Sequence, residues 1–438
     1  MSRASLRVGP TLGPLKRAMK NTMMPYKYYP THITCSTFEN ELAAILKSSP
    51  LLPSTLHART DDFKRGEQKR KKGKMGADIG EILPKREVRI EEISRKIVAV
   101  DAYNMLYQFL STIRQPDGTP LKDSQGRITS HLSGIIYRVT KLLERGILPV
   151  FVFDGTPPAL KAEVLQRRKE RRDAERLKWE ALREISPAEA LKHAKASARV
   201  DEYVVNGAKR LLAFLGIPVV QAPSEGEAQA AFIVARGDAH FVASQDYDAL
   251  LFGSPSLLRN LSVSALQKDS SLALITLEET LKSLKISREQ LVDIAILTGT
   301  DYNEGVKGIG PKTALKLVRK FGGIEKLLAS GKIQTAGIEN YNEVREIFLA
   351  PKVTSAYELK WHPPDEEKVL EFLCEEHDFS EERVAKALKR IRKGMEADKG
   401  ASSGDADEES RSGERRSSSR KGKKEMLAKG QATLSEWF

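Results

Sequence analysis

From Lys96 onward, short apolar runs alternate with stretches whose apolar residues recur at helical spacing. Ile97 to Val100 reads as a buried strand, His131 to Leu143 as an amphipathic helix and Leu148 to Phe153 as a second strand. The alternation resumes with a helix from Val204 to Leu215, a strand from Pro218 to Gln221, a helix from Glu225 to Arg236 and a strand from Ala239 to Ser244. Helices dominate from Leu277 onward. Strands separated by helices predict an α/β fold with a mostly parallel central sheet flanked by helices.

Three stretches break the pattern. Between Leu160 and Ala198 the chain is intensely charged and helix-forming, with Arg167, Arg168, Lys169, Arg171 and Arg172 in one cluster, which predicts an exposed helical insertion. After about Lys393, Ser, Gly, Glu, Arg and Lys take over, the composition of a disordered linker, until Leu434, Trp437 and Phe438 reappear at the end. Before Met75 the chain opens with basic residues among Ser, Thr and Pro and no acid ahead of Glu39, then closes in a basic run from Phe63 to Lys74. That opening resembles a transit peptide and reads equally as sequence upstream of the true start; the folded protein is expected to begin at Met75 or Gly76.

Charge narrows the partners. The 72 Lys and Arg exceed the 59 Asp and Glu by 13, and the sequence pI is near 9.4, which favours a polyanionic partner such as nucleic acid or an anionic membrane surface. The only cysteines, Cys35 and Cys374, allow neither a disulfide framework nor a thiolate zinc site, which suits a reducing intracellular compartment. No apolar run reaches the roughly 18 residues of a membrane span.

Acids recur where the apolar strands stop: Asp101 after Val100, Asp154 after Phe153, Glu225 and Glu227 after the strand ending near Gln221, and Asp246 and Asp248 after Ser244. Asp301 lies in a Gly-Thr-Asp-Tyr loop after the helical run Gln290 to Leu297. In parallel sheets the carboxyl edge of the strands is where ligands bind. Two unit charges 4 Å apart repel by about 4 kcal/mol even at an effective dielectric of 20, so a cluster of such acids calls for cations. Oxygen ligands without His or Cys point to Mg²⁺ or Mn²⁺. Any one of these acids alone reads equally as a structural loop acid, and Ser224-x-x-Glu227 reads equally as a helix capping box.

The motifs Val-Ala-Val-Asp101, Tyr107-Gln-Phe, Thr-Ser-His131-Leu, Val-Phe-Asp154-Gly-x-Pro-Pro, Ser-Glu225-Gly-Glu227, Asp246-Tyr-Asp248 and Thr-Asp301-Tyr resemble those of the flap endonuclease family, over Met75 to Phe438. The resemblance implies two Mg²⁺ ions per site, with Mn²⁺ as a substitute, held by these seven carboxylates. Lys161 and Arg168 would grip the scissile phosphate at the base of a helical arch, and Tyr107 would stack on a base, with Arg114 a further DNA contact. Val306 to Ala314 has the shape of a helix-hairpin-helix, where Gly308 and Gly310 let backbone N–H groups approach a phosphate beside Lys312. Gln431, Leu434, Trp437 and Phe438 resemble the sliding-clamp peptide of replication proteins, tethered by the linker.

These implications divide the chain into an extension (1–74), an N-terminal nuclease region (75–172), an arch (160–198), an internal nuclease region (190–331), a helical C-terminal part of the core (332–393), a linker (394–430) and the clamp peptide (431–438). The implied activity is 5′ flap cleavage with 5′-3′ exonuclease activity, in Okazaki fragment maturation and base excision repair. Clamp and branched DNA are the implied partners, in the nucleoid of an archaeon or the nucleus of a eukaryote. The alternatives are a non-catalytic DNA-binding scaffold on the clamp, or another 5′ nuclease or junction resolvase of the same superfamily.

Overall fold

The computed structural model describes residues 77–261 and 272–402. The extension, the expected start at Met75 and Gly76, and the clamp peptide lie outside the described residues. Strands β1 (Arg86–Val88), β2 (Ile97–Asp101), β3 (Leu148–Phe153), β4 (Val219–Gln221), β5 (Phe241–Ala243), β6 (Ser256–Arg259) and β7 (Leu272–Thr276) form one sheet, in the order β1, β7, β6, β5, β2, β3, β4. The five strands from β6 to β4 are mutually parallel, while β7 pairs antiparallel with both β6 and β1.

The α-helices among the described residues are α1 (Ala102–Thr112), α2 (Ser130–Glu144), α3 (Ala162–Leu182), α4 (Pro187–Ala196), α5 (Glu202–Phe214), α6 (Gly226–Ala235), α7 (Asp248–Leu251), α8 (Leu277–Leu284), α9 (Arg288–Thr298), α10 (Pro311–Phe321), α11 (Ile324–Ala329), α12 (Tyr341–Leu349), α13 (Glu366–Leu370) and α14 (Glu381–Ser402). The central strands are apolar throughout because both faces are covered: Val98, Val100, Phe151 and Phe153 join one core, whereas Ala99, Val150 and Val152 join the other. Register places Ile97 beside Leu148 and Val100 beside Ala243, so β2, β3 and β5 end at one edge. The chain leaves β2 towards β3 and β4, then returns to β5 on the other side of β2. Acids that end these strands therefore meet at a topological switch point.

One expectation needs correcting, and three strands were not expected. The folded body does not stop at Lys393, because α14 runs to Ser402. Val384, Ala387, Leu388 and Ile391 are buried at helical spacing, Met395 packs against the same core four residues on, and the helix continues past it. Strands β1, β6 and β7, which the hydrophobic pattern does not announce, form because β6 extends the sheet beyond β5 and the other two add to it in turn.

His131, part of the Thr-Ser-His-Leu motif, is fully buried in α2, and neither ring nitrogen has a hydrogen-bond partner. Burial, reinforced by the charge of His377, lowers its pKa from 6.5 to about 3. The unfolded chain therefore binds a proton below pH 6.5 that the native state refuses, and stability is lost as pH falls towards 3. Between pH 7 and pH 5 the loss amounts to about 2 kcal/mol. Urea unfolding of wild type and His131→Gln at both values checks this: the wild type should lose more stability than the variant on acidification, and equal losses would contradict the burial of a neutral imidazole.

Candidate active site

Asp101 is the last residue of β2 and the N-cap of α1, where its side chain accepts from Asn104 N at 3.0 Å. The Asn104 amide in turn donates to Asp246 Oδ2 at 3.2 Å. Asp154, just beyond β3, accepts from the Gly226 N–H at 2.7 Å, so the start of α6 faces it. Glu225 is the N-cap of α6 and Glu227 lies in its first turn. Ser244, beyond β5, donates to Glu227 Oε1 at 2.6 Å and accepts from Asp246 N at 3.2 Å; Asp101 Oδ2 is 3.4 Å from the same hydroxyl. Asp248 opens α7 and accepts from the Ala77 N–H at 2.8 Å, which puts the segment after Gly76 against the site. Asp301 comes from the loop after α9 and takes a hydrogen bond from Arg168 Nη2.

All seven carboxylates line a single cleft, together with Tyr107, Lys161 and Arg168. Lys161 Nζ lies 2.6 Å from Glu225 Oε2 and 3.8 Å from Asp301 Oδ2, with its side chain only 13% exposed. Burial and then the charge of neighbouring carboxylates raise the pKa values of Asp101, Asp154, Glu227, Asp246 and Asp248. Burial would lower that of Lys161, but Glu225 and Asp301 outweigh it and push it up. Three cations, Lys161, Arg168 and Arg172, thus face seven acids, a balance that further positive charge would relieve.

The donor set fits hard divalent cations. Every side-chain group is an oxygen, and Glu225 Oε1 is buried without a hydrogen-bond partner. Among the described residues no group of three His, Cys, Asp or Glu side chains is placed to hold an ion as it stands; the acids are instead joined through Lys161, Arg168, Asn104 and Ser244.

The capping-box reading of Ser224 and Glu227 fails on geometry. The N-cap is Glu225, without a side-chain cap bond, and Ser224 Oγ donates instead to the Thr156 carbonyl at 3.0 Å. Arg114 does not lie in the cleft: its guanidinium donates to the Leu110 and Gly118 carbonyls at 2.7 Å each and ties the turn after α1. Gly308 and Gly310 lie between α9 and α10, outside the cleft. At Gly308 φ is +87°, which glycine adopts without strain, and Lys312 on the first turn of α10 pairs with Glu81 at 2.7 Å.

Sequence reasoning missed Asn104, Ser244 and Tyr302, which also belong to the site or touch its acids. For Ser244 a signal existed, since it stands at the end of a strand two residues before Asp246. Tyr302 directly follows Asp301, whereas the Asn104 side chain reaches Asp246 across 142 residues.

Arch helix α3 runs along this cleft, and α4 packs against α3 and α1. No residue of α3 is buried, although Leu165, Arg168 and Arg172 line the cleft, and Trp179 Nε1 donates to the Asp117 carbonyl at 3.1 Å, so the upper part of α3 rests on the turn after α1.

Residues 79–175 match the family model described as the XPG N-terminal domain, and residues 216–301 match the XPG I-region. Flap endonuclease 1 of Archaeoglobus fulgidus is 55% identical over 327 residues, covering 73% of this chain and 96% of that protein. Flap endonuclease 1 of Pyrococcus abyssi is 51% identical over 335 residues, covering 74% and 96%. Among solved structures, the flap endonuclease-1 from Methanococcus jannaschii superposes with a TM-score of 0.59 at 39% identity, covering 74% of this chain and 99% of that one. The catalytic core of Rad2 in complex with a DNA substrate gives 0.56 at 26% identity, covering 70% and 96%. With its strand-end acids gathered in one cleft and near-complete coverage of these relatives, the chain belongs to the flap endonuclease family, nucleases that hydrolyse DNA phosphodiester bonds.

Proposed function

We propose that this chain cuts branched DNA near the base of a 5′ single-stranded flap, with accompanying 5′-3′ exonuclease activity, and does so with two Mg²⁺ ions held by Asp101, Asp154, Glu225, Glu227, Asp246, Asp248 and Asp301. The observation that carries this reading is the convergence of these acids with Lys161 and Arg168 in one cleft beside the arch. Bound there, the ions would offset the carboxylate charge, activate a water and polarise the scissile phosphate.

The chain's own part is to hold and orient. Lys161 and Arg168 present cations where a phosphate oxygen can replace Glu225 or Asp301 as their partner, and a charge placed in advance costs no reorganisation during reaction. Ser244 and Asn104 hold acids from different strands in fixed relative positions. Tyr107, at the cleft wall, offers a ring face to a base; such stacking contributes about 1 to 3 kcal/mol in single-strand binders. The turn with Gly308 and Gly310, next to Lys312, would grip duplex phosphates away from the cut. Residues 431–438 would bind a sliding clamp of the proliferating cell nuclear antigen type. The enzyme would then serve Okazaki fragment maturation and base excision repair wherever the cell keeps its chromosome.

The test compares a 5′-flap substrate, a blunt duplex and a four-way junction in Mg²⁺, using the full chain and a chain ending at Gly430, each with and without clamp. The flap should be cut fastest by both proteins, and clamp should stimulate only the full chain. Preference for the four-way junction would indicate a resolvase, absence of any cleavage a scaffold, and equal stimulation of both proteins would remove the tether.

A further inference from the structure

The loop from Gln245 to Asp248 carries two of the proposed metal carboxylates on either side of Tyr247. Like charges so placed repel each other and Asp301, and a short loop relieves repulsion by turning its acids outward unless something restrains it. Asn104, Ser244 and the Ala77 N–H hold the acids themselves, and a further restraint grips the loop at Gln245 and Tyr247. Arg259, the last residue of β6, donates from Nε and Nη2 to the Gln245 carbonyl at 3.0 and 2.6 Å. Its Nη1 donates to the Tyr247 hydroxyl, and its guanidinium carbon lies 4.0 Å from the centre of the Tyr247 ring. Gly80 rests against the same phenol so closely that a Cβ there would come within 2.3 Å of the Tyr247 oxygen. The segment that brings Ala77 N–H to Asp248 is thereby packed on the residue that Arg259 grips.

We propose that Arg259 is a positioning residue for metal binding: by holding the Gln245 carbonyl and the Tyr247 ring, it keeps Asp246 and Asp248 turned into the cleft. It is not among the residues that line the cleft, and among the described residues its three side-chain hydrogen bonds all go to the loop. A guanidinium suits this place because it is planar and donates along two edges while stacking on a ring, which an ammonium cannot do at once. The proposal rests on the reading of the seven acids as metal ligands.

The experiment measures Mn²⁺ binding to the full-length, DNA-free protein from the electron paramagnetic resonance signal of free Mn²⁺, for wild type, Arg259→Met, Arg259→Lys and Asp248→Ala. Single-turnover flap cleavage is followed in parallel across a Mg²⁺ titration. Arg259→Met should weaken Mn²⁺ binding by about 10- to 100-fold, the usual cost of losing a residue that orients metal ligands, and raise the Mg²⁺ needed for half-maximal rate by a similar factor. The rate at saturating Mg²⁺ should stay within about threefold of wild type, and Arg259→Lys should fall between the two. Wild-type Mn²⁺ affinity in Arg259→Met, or a rate loss that no Mg²⁺ concentration repairs, overturns the proposal. Should the Met variant fail to fold, Arg259→Lys decides by the same measure, and unchanged affinity there overturns it as well. If Asp248→Ala binds Mn²⁺ as wild type does, the metal reading itself is wrong; if only Asp248→Ala is impaired, the acids keep their role and Arg259 loses the one assigned here.

Discussion

Asp248→Ala should lower single-turnover flap cleavage by at least about a thousandfold, the equivalent of about 4 kcal/mol of transition-state stabilisation, while leaving most of the DNA affinity in place. Asp154→Ala should behave alike. Affinity for DNA comes mainly from basic groups on phosphates, and neither acid supplies any of that. The same substitution should leave the melting temperature unchanged or raise it. Asp248 is buried, and its pKa is raised by burial and by the charges of Asp301 and Asp246. The folded protein therefore holds this carboxylate against an electrostatic cost, as expected of a group retained for function at the expense of stability. Cleavage within about tenfold of wild type at saturating Mg²⁺ would remove the residue from the site. A large fall in melting temperature would show that it serves the fold instead.

Lys161→Ala and Arg168→Ala should each reduce the single-turnover rate at least about tenfold, with a smaller effect on affinity, because an interaction made mainly in the transition state acts on rate. For Lys161 a second effect follows from its ion pairs. Its loss leaves Glu225 and Asp301, each with a side chain no more than 13% exposed, without that counter-charge. Breaking one side of a buried pair typically costs about 3 to 5 kcal/mol. Lys161→Ala should therefore melt well below wild type in EDTA and recover much of the difference in Mg²⁺. Thermal unfolding in the two conditions, beside the rate, separates this from a simple packing defect, which Mg²⁺ would not repair. If both substitutions weakened binding alone, the grip on the scissile phosphate assigned to these side chains would be wrong.

The central strands were legible because β2 and β3 are buried on both faces and must be apolar throughout, and such a run is visible without its neighbours. The element from Leu148 to Phe153 has the same bounds in the sequence pattern and in the structure. The acids were legible for a related reason: a charged residue directly after a buried run marks the strand end, and parallel strands bring their ends to one edge. The edge strands were not legible, since β1 is three residues with only Val88 buried and owes its form to pairing with β7. Likewise, the composition after Lys393 looks like linker, and packing as far as Met395 is what shows that the helix runs past it.

Within the site, the sequence by itself determined the chemistry: oxygen ligands at strand ends, two basic residues at the foot of a charged helix, and no competing His or Cys at those strand ends. Tertiary structure alone decided which polar groups hold those acids still. Ser244 meets Glu227, Asn104 meets Asp246 and Ala77 N–H meets Asp248, across sequence separations of 17, 142 and 171 residues. It also decided that His131, quoted within a motif, is a neutral core residue, and that Arg114 braces a turn. The physical reason is that hydrophobic periodicity reports a residue's own burial, whereas a hydrogen-bond partner is set by the register and crossing of elements, which no local window of sequence contains.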